Sequence, residues 1–116
     1  MVKPLKVLES KDSWNGMPVQ QFDFLMTEKA DPNCPNEGSV RVLVSARKNC
    51  APYVKWVWAG TRREGWAEMA YRWLVAKYGR PLRVSDVCGA ESLAFHAKMK
   101  RLGVVEQYQV DAVFKK

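Results

Sequence analysis

The sequence has few of the residues that several kinds of chemistry require. It holds one histidine and three cysteines in 116 residues. Cys34, Cys50 and Cys88 are an odd number without metal-ligand spacing, which argues against both a disulfide framework and a metal centre. Free thiols fit a reducing compartment, so the expected location is cytoplasmic. No apolar run approaches the roughly 18 residues that a membrane span needs. Met1-Val2-Lys3-Pro4 leads into no apolar segment of the signal-peptide kind, so no membrane role is expected. Repeats, low-complexity tracts and linker-like stretches are also missing. The length suits a single domain over residues 1–116.

Positive charge is plentiful. Nineteen Lys and Arg stand against twelve Asp and Glu, a net charge of +7. That balance favours an anionic partner such as nucleic acid, a phosphorylated cofactor or an acidic protein. Many of the cations lie between Arg62 and Arg101.

Alternation and breakers divide the chain. Lys3–Glu9, with Leu5, Val7 and Leu8, reads as a short first strand. Ser10–Gly16, where Asp12, Ser13, Asn15 and Gly16 cluster, reads as a turn. The aromatic content of Met17–Glu28 predicts a second strand. Asp31-Pro32-Asn33 and Cys34-Pro35-Asn36 mark a surface loop over 29–38. Ser39–Ala46 alternates Val40, Val42 and Val44 against Arg41 and Leu43, the pattern of a half-buried strand. Tyr53–Ala59 is apolar on both faces, which predicts a central strand covered on both sides.

Trp66, Met69, Ala70, Trp73, Leu74 and Lys77 then fall at helical spacing, and Gly79 and Pro81 stop that helix. Leu82–Val87 is the next strand, making a parallel unit with a right-handed crossover. A helix over Ala90–Leu102 carries Phe95, Met99 and Leu102 on one stripe. Val104–Phe114 closes the chain as a strand with Val110, Ala112 and Phe114 in phase. The order β-β-β-β-α-β-α-β predicts one α/β domain on a mixed sheet. Trp56, Trp58, Trp66 and Trp73 are expected in its core. Trp14, in a polar turn, either packs back on the sheet or lines an open face.

Between Ala59 and the first helix lies Thr61-Arg62-Arg63-Glu64-Gly65-Trp66-Ala67. Arg62, Gly65 and Ala67 give the pattern [Q/R]-x-x-G-x-[G/A] at a helix entry. A helix N-terminus has unpaired N–H groups and a partial positive charge, so it receives anions without side-chain help. A small residue lets a phosphate approach the backbone closely. The stretch therefore reads as a pyrophosphate cradle on the amides from Arg63 to Ala67, with Arg62 and Arg63 adding charge-assisted bonds. Two cations at a helix start are unfavourable unless an anion joins them. The bland alternative is a solvated pair.

From residue 39 to 114 the chain resembles the GNAT family of N-acetyltransferases. A hydrophobic strand leads into Arg62-x-x-Gly65-x-Ala67 and a helix, and Leu82–Val87 follows at the family's spacing. Gly89-Ala90-Glu91-Ser92-Leu93-Ala94-Phe95-His96-Ala97-Lys98 is similar to the family's N-x-x-[SA]-x-x-[FL]-[YH]-x-[KR]. Gly103-Val104 is similar to the Gly-Phe that ends that helix in many members.

The resemblance implies a GNAT-like fold with splayed central strands, Tyr53–Ala59 and Leu82–Val87. Acetyl-CoA would lie between them. Val57, Trp58 and Ala59 would pair with its pantetheine arm, and Arg62, Arg63, Glu64, Gly65, Trp66 and Ala67 would hold its pyrophosphate. Ser92 would sit beside the cofactor. His96 stands where many members have a tyrosine proposed to protonate the departing CoA thiolate, which imidazole can also do. As plain packing residues, His96 would donate to a nearby carbonyl, Ser92 would fill space and Cys88 would be a buried small hydrophobe.

The implied activity is transfer of an acetyl group to an amine on a small molecule or protein. Several features depart from the family. Gly89 replaces the asparagine, and the segment 98–103 is about a turn longer. Tyr53–Ala59 carries no acid, leaving Asp23, Glu28 and Tyr53 as base candidates without positional support. The helices that usually follow the first strand are missing, so the acceptor side is open, completed by a second subunit in a homodimer, or shaped for a large substrate. The rival reading is a catalytically inactive GNAT-fold binding protein that contacts a protein or nucleic acid. Interleaved basic and aromatic residues fit nucleic acid, although no recognised motif is present.

Overall fold

The computed structural model describes residues 2–31, 33–34, 36–47, 49–60 and 65–110. Its elements are β1 (Lys6–Trp14), β2 (Met17–Leu25), β3 (Ser39–Ser45), β4 (Tyr53–Ala59), α1 (Trp66–Tyr78), β5 (Leu82–Val87), α2 (Ala90–Arg101) and β6 (Val105–Val110). They form one mixed α+β domain with a six-stranded sheet in chain order. β1 to β4 are antiparallel neighbours, and β4, β5 and β6 run parallel. Neither α1 nor α2 is long and apolar enough to cross a membrane.

The first strand continues through the stretch expected to turn. β1 pairs with β2 from Lys6↔Leu25 to Trp14↔Met17, leaving only Asn15 and Gly16 to reverse the chain. Both have positive φ, 49° and 81°, which suits a two-residue hairpin with matching twist. Asp12 and Ser13 do not interrupt the strand because they lie exposed on an edge, where polar side chains stay solvated. β2 ends three residues earlier than expected, because the Met26 and Thr27 N–H groups both donate to the Gly38 carbonyl (2.9 and 3.3 Å) and close the loop there. β4, α1 and β5 match the expected bounds. The end of the last expected strand, including Ala112 and Phe114, lies outside the described residues.

Sheet register separates two faces. On one, Phe22 pairs with Val42 and Phe24 with Val40, and Val42 and Val40 continue to Val57 and Ala59. This face carries the core, joined by Ala70, Tyr71 and Leu74 of α1 and Met99 of α2. Trp73 meets Phe22 and Phe24 edge-on, with centroids 5.6 and 5.4 Å apart. α2 packs beside α1 through Tyr71–Phe95 and Tyr71–His96. Both helices therefore share this face, as two crossovers of one hand advancing in one direction must.

On the other face lie Asp23, Arg41, Leu43, Trp56 and Trp58, linked by Asp23↔Arg41, Arg41↔Trp58 and Leu43↔Trp56. No described helix covers it. This corrects two expectations: β4 is not covered on both sides, and Trp56 and Trp58 are not in the core. Trp66 and Trp73 do pack against the core. Helix periodicity also missed two deep positions. Tyr71 is fully buried, and His96 replaces Leu102 on the inner side of α2, with Leu102 50% exposed just past the helix end.

Candidate functional site

β4 and β5 begin as neighbours and then part. Their ladder consists of Tyr53↔Arg83 and Val54↔Val84. Ser85 Oγ donates to the Val54 carbonyl at 3.3 Å. From Val57 to Ala59, β4 is paired with β3 on one edge only, and the Gly60 N–H closes that edge on the Ser39 carbonyl at 2.9 Å. The edge facing β5 has no ladder partner there among the described residues. Val57 and Ala59 turn their side chains to the core, and Trp58 faces the helix-free side.

Beyond this opening the chain enters α1 at Gly65. Arg62, Arg63 and Glu64, expected to hold pyrophosphate, lie outside the described residues. Gly65 is the N-cap at φ 75° and makes no side-chain capping bond. The first helical hydrogen bond there runs from the Met69 N–H to the Gly65 carbonyl (3.0 Å). The amides of Trp66, Ala67 and Glu68 thus have the unpaired character of a helix start. A groove of about 620 Å3 borders this end, with Val2, Lys3 and Pro4 on one side and Gly65, Glu68, Met69, Arg72 and Trp73 on the other. Among the described residues, a Cβ at Gly65 would meet only Val2 Cγ2, at 4.0 Å, so on that side an incoming group has space to approach the backbone.

Glu68, in the first turn of α1, carries the local negative charge. Arg72 Nε lies 3.0 Å and Lys98 Nζ 3.4 Å from its carboxylate. The bond from Arg72 holds the Glu68 carboxyl below its ordinary pKa against the opposing effect of burial, and Lys98 adds to the lowering. Among the described residues, two cations thus meet the one Glu68 carboxylate.

His96 is sealed between the helices, only 2% exposed. Its Nδ1 lies 2.7 Å from the Ser92 carbonyl and its Nε2 lies 2.8 Å from the Tyr71 hydroxyl. A carbonyl only accepts, so Nδ1 carries the proton and Nε2 accepts from Tyr71. Burial lowers the His96 pKa more than the Ser92 carbonyl raises it, so the ring is neutral. Tyr71, Phe95 and Tyr108 surround it. The protonating role expected of His96 therefore has no free N–H in this arrangement. Ser92 is half-buried, with its Oγ 3.4 Å from His96 Nδ1.

The base candidates are separated. Asp23 is buried on the helix-free face, accepting from Arg41 Nε (2.7 Å) and Gln21 Nε2 (2.9 Å). Glu28 is exposed in the loop after β2. Tyr53 is half-buried with Lys55 Nζ 4.0 Å from its ring centroid. Cys88, expected to be buried, is exposed just after β5. The Asp23–Arg41 pair was legible only as matching strand parity, and Tyr71 only as a residue beside the expected helical stripe.

Compared with known proteins, the chain matches no family model, no curated protein and no solved structure.

Proposed function

We propose that this chain is a small GNAT-type domain that binds acetyl-CoA and passes its acetyl group to an amine. The observation that carries the reading is the parting of β4 from β5 after Val54↔Val84, next to an uncapped helix start at Gly65. An extended amide-bearing arm can pair with the free edge of β4, and a pyrophosphate can accept from the first amides of α1. The open space at Gly65 and the two cations at Glu68 fit that group.

Acetyl-CoA supplies the activated acyl group as a thioester. The chain's share is to orient it on β4 and to polarise its carbonyl with a backbone N–H of the free edge. The amine nitrogen forms the new bond to the carbonyl carbon, and the carbon–sulfur bond breaks. The ammonium proton leaves to solvent or to a group of the acceptor, and the thiolate takes its proton from water at the open groove. Positioning therefore carries most of the catalysis. His96 contributes by fixing α2 to α1.

The test is a thermal shift with millimolar acetyl-CoA, compared with Gly65→Glu and Gly65→Asn. Asparagine tolerates the left-handed backbone, so that variant controls for strain. The wild type and Gly65→Asn should be stabilised, and Gly65→Glu should not. A wild type that shows no shift would sink the reading. The second reading, a GNAT-fold binding protein without chemistry, is favoured by the sealed His96 and by the lack of an acid on β4. It predicts acetyl-CoA binding, or none, without CoA release in the presence of amines.

A further inference from the structure

We propose that β1 is a self-association edge, on which β1 of a second copy of this chain pairs antiparallel about a two-fold axis at Ser10 and joins the two sheets edge to edge. This goes beyond acetyl-CoA binding and does not depend on it.

β1 is one edge of the sheet, and the bonds of β2 define which of its backbone groups are unused. Leu25 turns its carbonyl to β1, where it accepts from the Leu5 N–H (2.7 Å), while the Met26 N–H turns the other way to the Gly38 carbonyl (2.9 Å). Backbone groups of successive residues point to opposite sides of a strand. Leu25, Asp23, Gln21, Val19 and Met17 therefore face β1, and their register partners Lys6, Leu8, Ser10, Asp12 and Trp14 face β2. Closure of the two-residue turn by Trp14↔Met17 agrees with this phase. The backbone groups of Val7, Glu9, Lys11 and Ser13 are left pointing out of the sheet. Of these four N–H groups only that of Ser13 has a partner among the described residues, Asp12 Oδ1 at 2.8 Å. Residues 9–13 are all exposed. β1 has nine residues against six in β6 at the other edge, so it is the longer template for pairing.

Charge selects both the occupant and the register. Across such an edge only residues with outward backbone groups bond to one another. With the axis at Ser10, Val7 lies opposite Ser13 of the second copy and Glu9 opposite Lys11 of the second copy, each twice by symmetry, so the whole outward run is used. An axis at Glu9 sets two glutamates face to face, and one at Lys11 sets two lysines face to face, with a shorter overlap in either case. Opposite charges directly across a strand pair stabilise it, and like charges oppose it. Lys11 makes no ion pair among the described residues. Glu9 meets Lys77 Nζ through Oε2 at 3.3 Å and stays 44% exposed, so its carboxylate has room for a second cation. On the other face of the strand the same axis sets Lys6 opposite the half-buried Trp14 ring, within reach of a cation–π contact. A lysine alone on an edge strand discourages pairing. A lysine matched by Glu9 across the axis admits one partner, a second copy in this register.

The experiment is sedimentation velocity of the full chain from micromolar to millimolar concentration, with a thermal melt of each variant to check folding. The wild type should pass from monomer to dimer. Lys11→Pro removes an outward N–H that the sheet does not use, a change that an edge strand tolerates. It should melt near the wild type and stay monomeric. Glu9→Lys and Lys11→Glu each set like charges opposite one another and should each weaken dimerisation on the order of tenfold or more. An equimolar mixture of these two variants restores opposite charges at both positions and should form a heterodimer. If Lys11→Pro does not fold, the charge variants and their mixture decide. The proposal is overturned by a wild type that is monomeric up to millimolar concentration, by a dimer that survives Lys11→Pro, or by a mixture that stays monomeric. A dimer that survives every β1 variant and is lost in Trp58→Ala also overturns it, and assigns the interface to the helix-free face.

Discussion

Tyr71, His96 and the Ser92 carbonyl form a polar chain that joins the two helices. Tyr71 donates to His96 Nε2, and His96 Nδ1 donates to the Ser92 carbonyl. Replacing His96 by Phe leaves the buried Tyr71 hydroxyl without its acceptor, at a cost of about 1–3 kcal/mol. Adding Tyr71→Phe should then cost less than it does alone, because both groups become apolar. A double-mutant cycle in urea checks this, and strict additivity would break the link. Turnover of His96→Phe is informative once a substrate is known: loss in proportion to folded protein fits a positioning role. The depressed His96 pKa also sets a pH dependence. The unfolded imidazole takes up a proton near pH 6.5, and the folded one only at lower pH. Stability is therefore full above about pH 6.5 and falls as pH drops toward the folded value, by at most about 1.4 kcal/mol per pH unit. Thermal melts of the wild type against His96→Gln should show a flatter acid limb in the variant. None of this was visible in the sequence beyond the bare possibility that His96 donates to a carbonyl. The choice between acid and packing residue depends on where Tyr71 stands, twenty-five positions away.

At the scale of elements, β4 takes its course from the loop before β3. Asn36 ties that loop together: its side chain donates to the Lys29 carbonyl (2.8 Å) and accepts from the Gly38 N–H (3.0 Å). The end of β4 passes against this knot at Gly60, where a Cβ would collide with the Asn36 carbonyl and lie 2.6 Å from Glu37 Cα. Gly60→Ala should therefore destabilise by about 1–3 kcal/mol through overpacking. A melting temperature equal to wild type would show that the loop gives way freely. The existence and bounds of β4, α1 and β5 were legible because each has strong patterning between clear breakers. The length of β1 was not, because polar residues on an exposed edge strand look like a turn until their partner strand is known. The parting of β4 and β5 has no local signal: it entered as an implication of family resemblance, and the ladder is a property of two strands together.

At the scale of the molecule, the main feature is an uneven sheet, helical on one face and bare of described helices on the other. Phe22, fully buried beside Trp73 and Tyr78, should cost about 3–5 kcal/mol when changed to Ala. Trp58→Ala, on the helix-free face, should cost clearly less despite the larger side chain removed. Equal losses in chemical denaturation would mean that something covers that face in solution.

The sequence by itself determined the order of elements, the parity of each strand, the glycine at the start of α1 and the excess of positive charge, because these follow from local pattern and composition. Tertiary structure alone decided which parity of β4 meets the helices, whether His96 is sealed, and whether β4 and β5 stay together. Periodicity says which residues share a face. What that face meets is set by elements distant in the chain, and burial exists only once they have packed.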